Sequence, residues 1–313
     1  MSEIYKIVFI GLDFAGKTSI LKVLEGSYSS LDQIKPTLGR NRTEWDILGF
    51  KIINWDLSGQ KQYRDEYLAN KEQVLRDTNL LIYVVDAQDA SRFEEAGIYF
   101  DNVLKALEEL KIRCPVLLCI HKMDPDILNE PEIQNNLEKI EDLFSEYSQR
   151  HDVEIKVFTT SIFDQKSLIE MFSEGIRQLM PVGILNQILD EFRKETGVVG
   201  AILFDLNFFV IGDSFLDVTT RNTCYQTINA FITLMRDFKG IYDDERQINF
   251  NLDVMNGINY KFQLNKISEL TSPFYLLIMG LPTFDPSQVF SIFRTKYLPK
   301  IDKGLHDLIT RID

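Results

Sequence analysis

Eight residues constrain this chain more than any other segment. Gly11-Leu12-Asp13-Phe14-Ala15-Gly16-Lys17-Thr18 matches G-x-x-x-x-G-K-[ST]. The octapeptide follows a short apolar run, Ile4–Ile10, and opens a helical pattern from Gly16 to Glu25 that includes Ser19. A strand that turns through glycines directly into a helix presents backbone N–H groups and a positive helix end to one point, which suits phosphate. Lys17 is the residue expected to neutralise phosphate charge, and Thr18 the one expected to ligate Mg²⁺. Such a loop commits the surrounding chain to an α/β sheet.

The pattern downstream agrees. Leu80–Asp86 and Pro115–Ile120 read as buried central strands, and Ile155–Thr160 as a third. Thr43–Leu48 and Phe50–Asp56 read as two strands turned at Gly49. Helical segments near 91–111, 130–150 and 165–180 alternate with them. Strands alternating with helices predict a mostly parallel sheet with helices on both faces, with ligands beyond the carboxyl ends of the strands.

Three further segments sharpen the chemistry. Asp56-Leu57-Ser58-Gly59-Gln60 ends a strand, so Asp56 can contact Mg²⁺, Gly59 can offer its N–H to a γ-phosphate, and Gln60 can orient a water. His121-Lys122-Met123-Asp124 follows the next buried strand. The Asp124 carboxylate can accept two hydrogen bonds from guanine, an edge that adenine lacks, with the Lys122 stem along the base. Thr160-Ser161-Ile162 would complete that pocket with backbone donors from Ser161 and Ile162. Thr37, in Lys35-Pro36-Thr37-Leu38-Gly39, is the candidate that senses γ-phosphate through Mg²⁺, ahead of Thr43. Segments 28–40 and 57–70 would then respond to GTP and GDP. The reactive end is expected to consist of Lys17, Thr37 and Gln60, with Thr18, Thr37 and Asp56 on the metal.

Pro181-Val182-Gly183 breaks the alternation. Beyond it the order reads helix, two strands turned at Asn207, a long helix over 219–238, three strands and a final helix over 286–312. That is an antiparallel-type α+β layer, so two domains are expected, 1–181 and 182–313. No catalytic constellation stands out in the second. His306 is alone there, and Phe204, Phe208, Phe209, Phe215 and Tyr225 read as core.

Composition excludes some partners. Asp and Glu outnumber Lys and Arg 47 to 34, a net charge of −13, which is wrong for nucleic acid and for adhesion to anionic lipid. Cys114, Cys119 and Cys224 have no ligand spacing and read as small apolar residues in a reducing compartment. No apolar run approaches the length of about 18 residues that spans a membrane. A cytoplasmic protein with no direct membrane insertion is expected.

With these motifs in view, the first domain resembles a Ras-superfamily small GTPase. Gly11-Leu12-Asp13, Ala15-Gly16-Lys17-Thr18 and Pro36-Thr37-Leu38-Gly39 look like the Arf branch. His121-Lys122-Met123-Asp124 and Thr160-Ser161-Ile162-Phe163-Asp164 look like the Rag/Gtr branch. The latter resemblance implies a P-loop GTPase fold followed by a roadblock (longin-like) domain that pairs as a homo- or heterodimer. It also implies GTP and GDP as ligands, Mg²⁺, slow hydrolysis, and a GTPase-activating protein and exchange factor as partners. An Arf-like trafficking GTPase, a non-hydrolysing nucleotide-binding scaffold and a P-loop ATPase are the competing expectations. Two departures bear on rate: Phe14 is bulky, and with Asp13 it would crowd the approach to a γ-phosphate.

Overall fold

The computed structural model describes residues 4–27, 34–47, 50–180, 183–205, 207–237, 247–253, 259–267 and 274–310. The Gly49 turn, the Pro181-Val182 junction and residues 28–33 lie outside the described residues, as do the side chains of 229–237 and of His306. The chain divides into two compact units, one of Ile4–Asp46 with Lys51–Leu179, the other chiefly Met180–Asp313.

The first unit runs β1 (Ile4–Gly11), α1 (Lys17–Leu24), β2 (Arg40–Ile47), β3 (Phe50–Leu57), α2 (Lys61–Ala69), α3 (Lys71–Leu75), β4 (Thr78–Asp86), α4 (Phe93–Glu109), β5 (Val116–His121), α5 (Pro131–His151), β6 (Ile155–Thr160) and α6 (Gln165–Leu179). The six strands lie in the order β2-β3-β1-β4-β5-β6. The pairs β1/β3, β1/β4, β4/β5 and β5/β6 are parallel. Strands β4 and β5 are almost wholly buried, as their unbroken apolar runs require when helices cover both faces. One face buries Val8, Tyr83 and Val85 against Phe100 of α4 and Phe144 of α5. Tyr83 meets Phe100 edge-on at 4.8 Å, and its hydroxyl donates to the Ala96 carbonyl at 2.6 Å. Each such buried ring contributes roughly 1.5–3 kcal/mol. This core fixes the carboxyl ends of β1, β4 and β5 side by side.

Helices α2 and α3, which no periodicity announced, follow Gln60 at once. The helix expected near 91 begins instead with a 3₁₀ turn at Ala90–Arg92.

The second unit holds α7 (Gly183–Thr196), β7 (Gly200–Asp205), β8 (Val210–Phe215), α8 (Val218–Asp237), β9 (Gln247–Asp253), β10 (Asn259–Ile267), β11 (Phe274–Gly280), α9 (Pro286–Ile292), a π turn at Phe293–Tyr297 and α10 (Leu298–Thr310). Its sheet, β8-β7-β11-β10-β9, is antiparallel throughout.

The second strand of this unit, whose apolar pattern begins at Phe208, starts at Val210, because Asp205 Oδ1 accepts the N–H groups of Asn207 and Phe209 and holds Phe208 at φ 68°. The final helix runs on through a π turn at Phe293–Tyr297. Pro299 has no N–H to donate one turn back, and the chain widens into a π turn just before it. Cys224 is buried as expected, whereas Cys114 is only half-buried.

Candidate nucleotide-binding site

A cleft of about 630 Å³ opens at the carboxyl ends of the first sheet. It is lined by Asp13, Phe14, Gly16, Lys17, Thr18, Ser19, Thr37, Gly59, Gln60, His121, Lys122, Asp124, Ile162 and Phe163, among others. Five separated segments of sequence thus meet around one space.

The loop between β1 and α1 has the geometry that its glycines permit. Gly16 caps α1 at φ 97°, and a Cβ there would fall 2.4 Å from His121 Cδ2. Gly11 closes β1, and Ala15 is buried behind the loop. Lys17 is buried, its Nζ donating to the carbonyls of Gly11 at 3.1 Å and Leu12 at 2.7 Å. Burial pulls its pKa down to about 8 against the pull of Asp56 and Asp13. An ammonium desolvated in this way gains from any anion brought beside it.

Thr18, Thr37 and Asp56 converge. Thr18 Oγ1 donates to Asp56 Oδ2 at 2.6 Å and lies 2.9 Å from Thr37 Oγ1, which is 3.3 Å from the same carboxylate oxygen. Asp56 Oδ1 is buried without a hydrogen-bond partner. Burial raises the Asp56 pKa although Thr18, Lys17 and Thr37 oppose it. Two hydroxyls and a carboxylate with one buried, unpartnered oxygen are hard oxygen donors of the kind Mg²⁺ takes together with substrate phosphates. Among the described residues no group of three or more His, Cys, Asp or Glu could hold a metal unaided. Thr43, the rival threonine, lies within β2.

Beside this cluster, Gly59 packs close against the loop between β1 and α1; a Cβ there would be 2.1 Å from Asp13 N. Gln60 caps the start of α2 and borders the cleft. Tyr67 of α2 donates its hydroxyl to the Gly39 carbonyl and accepts the Ser58 N–H at 3.2 Å, joining the two segments that flank Asp56.

At the other end, His121 is buried, with Nδ1 2.9 Å from Thr160 Oγ1. Burial first, then the Lys122 ammonium, lowers its pKa to about 3, so the ring is neutral. Lys122 stands at φ 63° with its ammonium 2.5 Å from Asp86 Oδ2. Asp124 is held on both oxygens, Oδ1 by Ser161 Oγ at 2.5 Å and Oδ2 by Gln88 Nε2 at 3.2 Å. The Ser161 N–H donates to Ser167 Oγ at 3.2 Å, so the backbone donor expected there is engaged within its own loop. Ile162 and the exposed Phe163 line the cleft in its place.

Asp13 and Phe14 both line the cleft, and the Asp13 carboxylate is paired with Arg92, 79 residues away. Phe14 does project, 71% exposed at φ 62°. Sequence reasoning missed Arg92, Gln88 and Tyr67. Only the 79-residue separation of Arg92 from Asp13 explains why no local motif marked it.

A family profile described as the Gtr1/RagA G protein conserved region matches residues 6–232. The chain belongs to the Gtr1/RagA G-protein family. Relatives include ADP-ribosylation factor-like protein 2 of Drosophila melanogaster, 36% identical over 133 residues, 42% of this chain and 68% of that protein. ADP-ribosylation factor-like protein 3 of Chlamydomonas reinhardtii is 36% identical over 119 residues, 38% of this chain and 63% of that protein. The chain thus spans about two thirds of the length of these relatives. Among solved structures, the Arl6 BBS3 small GTPase from Trypanosoma brucei with bound GppNp aligns with TM-score 0.45 and 22% identity, over 56% of this chain and 99% of that one. Membership in the Gtr1/RagA family makes this protein a GTP-binding switch of the Ras superfamily, with the GTP hydrolysis and the activating and exchange regulators general to such proteins.

Proposed function

We propose that the protein is a Rag-like, Mg²⁺-dependent GTPase that cycles between GTP and GDP and pairs through its second unit. The observation that carries this is the convergence of Thr18, Thr37 and Asp56 within 3.3 Å of one another, in the cleft that also holds Lys17, Gln60 and Asp124. In this reading Lys17, the loop amides and Ser19 hold phosphates, and Thr18, Thr37 and Asp56 hold the cation. Gly59 donates to the γ-phosphate and Gln60 orients the attacking water. Asp124 reads guanine, Lys122 lies along the base, His121 braces the loop, and the Ile162 amide faces the base oxygen. When bound, Mg²⁺ supplies charge neutralisation for the leaving phosphate.

The five-stranded antiparallel sheet flanked by α7 and α8 supports a roadblock-like second domain over 182–313, hence a homo- or heterodimer. The first domain would then be 1–181. No described helix is long and apolar enough to cross a membrane, which fits the cytoplasmic placement we propose.

A second reading, a nucleotide-binding scaffold that hardly turns over, is favoured by Phe14, whose exposed ring stands at the phosphate end of the cleft. Single-turnover hydrolysis by wild type and Gln60→Leu decides between them. Faster decay in wild type, dependent on added Mg²⁺, supports the enzyme. Equal decay in both supports the scaffold.

A further inference from the structure

A carboxylate on a phosphate-binding loop opposes its own ligand, because like charges at short range repel. Asp13 borders the cleft, so something must answer its charge. Arg92, at the end of the turn before α4, donates through Nη1 to the Asp13 carbonyl at 3.0 Å and through Nη2 to Asp13 Oδ1 at 2.5 Å. One guanidinium therefore grips both the backbone and the side chain of a single loop residue. Its Nε reaches Glu95 Oε2 at 3.3 Å. The other Glu95 oxygen accepts from Arg64 Nη2, and the Arg64 guanidinium lies 5.1 Å over the Tyr99 ring. Arg64 belongs to α2 and its side chain is only 8% exposed.

These contacts form an unbroken run, Asp13–Arg92–Glu95–Arg64, from the phosphate loop to the helix that follows Gln60. Gly59 closes the circuit, since even a Cβ there would collide with the backbone of Leu12 and Asp13. Stability alone is a weak reason for the Asp13–Arg92 pair: both side chains are more than a quarter exposed, and pairs so exposed contribute little. Position in the cleft is the stronger reason.

We propose that Arg92 is a positioning residue for the triphosphate: it turns and neutralises the Asp13 carboxylate, and through Glu95 and Arg64 ties that orientation to the helix behind Gln60. The proposal rests on reading residues 11–18 as the phosphate loop. The γ-phosphate carries the charge that GDP lacks, so an unanswered Asp13 penalises GTP more than GDP.

The test uses the full chain, with GDP and a non-hydrolysable GTP analogue displacing a fluorescent GDP in saturating Mg²⁺. Arg92→Ala should weaken the GTP analogue relative to GDP by about tenfold. Arg92→Ala combined with Asp13→Asn should restore the wild-type ratio. Arg92→Gln, which keeps most of the stem, carries the same expectation where truncation fails to fold. Glu95→Gln should leave the ratio intact yet slow single-turnover hydrolysis severalfold. Equal weakening of both nucleotides by Arg92→Ala, or no restoration by Asp13→Asn, overturns the positioning role. Unchanged hydrolysis in Glu95→Gln removes the link to α2. Wild type that binds neither nucleotide would instead refute the phosphate-loop reading itself.

Discussion

Gly59→Ala is the substitution whose consequence follows most directly from distances. A Cβ at Gly59 would stand 2.1 Å from Asp13 N, 2.1 Å from Leu12 C and 2.4 Å from Leu12 O. All three are backbone atoms, so no side-chain rotation relieves the clash. Contacts below 3.0 Å do not persist, and 3.0 minus 2.1 leaves at least 0.9 Å by which the two loops must separate. The movement falls between Lys17 on one side and Gln60 on the other, the groups proposed to face one γ-phosphate. A displacement of about 1 Å in a reacting geometry costs about 10²-fold in rate, or about 2.7 kcal/mol in the barrier. Single-turnover GTP hydrolysis should therefore collapse in Gly59→Ala, and the overpacking should lower stability by about 1–3 kcal/mol. Gly183→Ala is the matched control, since a Cβ there meets nothing within 4 Å. Hydrolysis at the wild-type rate in a folded Gly59→Ala protein would refute the packing argument.

Other perturbations follow from the same contacts. Asp124→Asn should reverse the partnership with the base, costing guanine roughly 10⁴-fold and gaining xanthine, as read by competition among the nucleoside diphosphates. Tyr67→Phe deletes a hydroxyl bonded to Gly39 and Ser58 without leaving a cavity; because Ser58 N also donates to Gly39 O at 2.8 Å, urea denaturation should show a loss of only about 1 kcal/mol. His121 protonates near pH 3 when folded and near 6.5 when unfolded, so between these values the unfolded chain binds the extra proton and stability falls as pH falls. The slope is up to about 1.4 kcal/mol per pH unit, and His121→Asn should remove it from urea unfolding measured at pH 7, 6 and 5.

The first sheet could be read from sequence because its signals are local. Leu80–Asp86 and Pro115–Ile120 are unbroken apolar runs, and an octapeptide of fixed spacing sits between a strand and a helix. The second unit was legible in element order for the same reason. Its details were not. The turn at 205–209 depends on one Asp205 oxygen accepting two amides, and the π turn within the last helix on a proline that helical patterns do not announce. Helix α2 escaped notice because Lys61–Ala69 is mostly polar and buries only Arg64 and Tyr67.

Asp13 illustrates why the rest of the site could not be read in the same way. From the sequence its carboxylate is an obstacle to the γ-phosphate, since only neighbours in the chain are visible and none nearby is an arginine. In the fold the partner arrives from the end of β4, where a parallel crossover brings Arg92 within 2.5 Å. The charge of a loop residue is thus undetermined until the topology supplies its counter-ion, and here the topology reverses its meaning. Among the described residues no side chain pairs with Phe14 in this way, and its ring stays exposed at the same end of the cleft. Of the two residues that departed from an open phosphate loop, one is neutralised by the fold and one is not. A limit on hydrolysis, where measured, should therefore track Phe14→Ala and not Asp13→Asn.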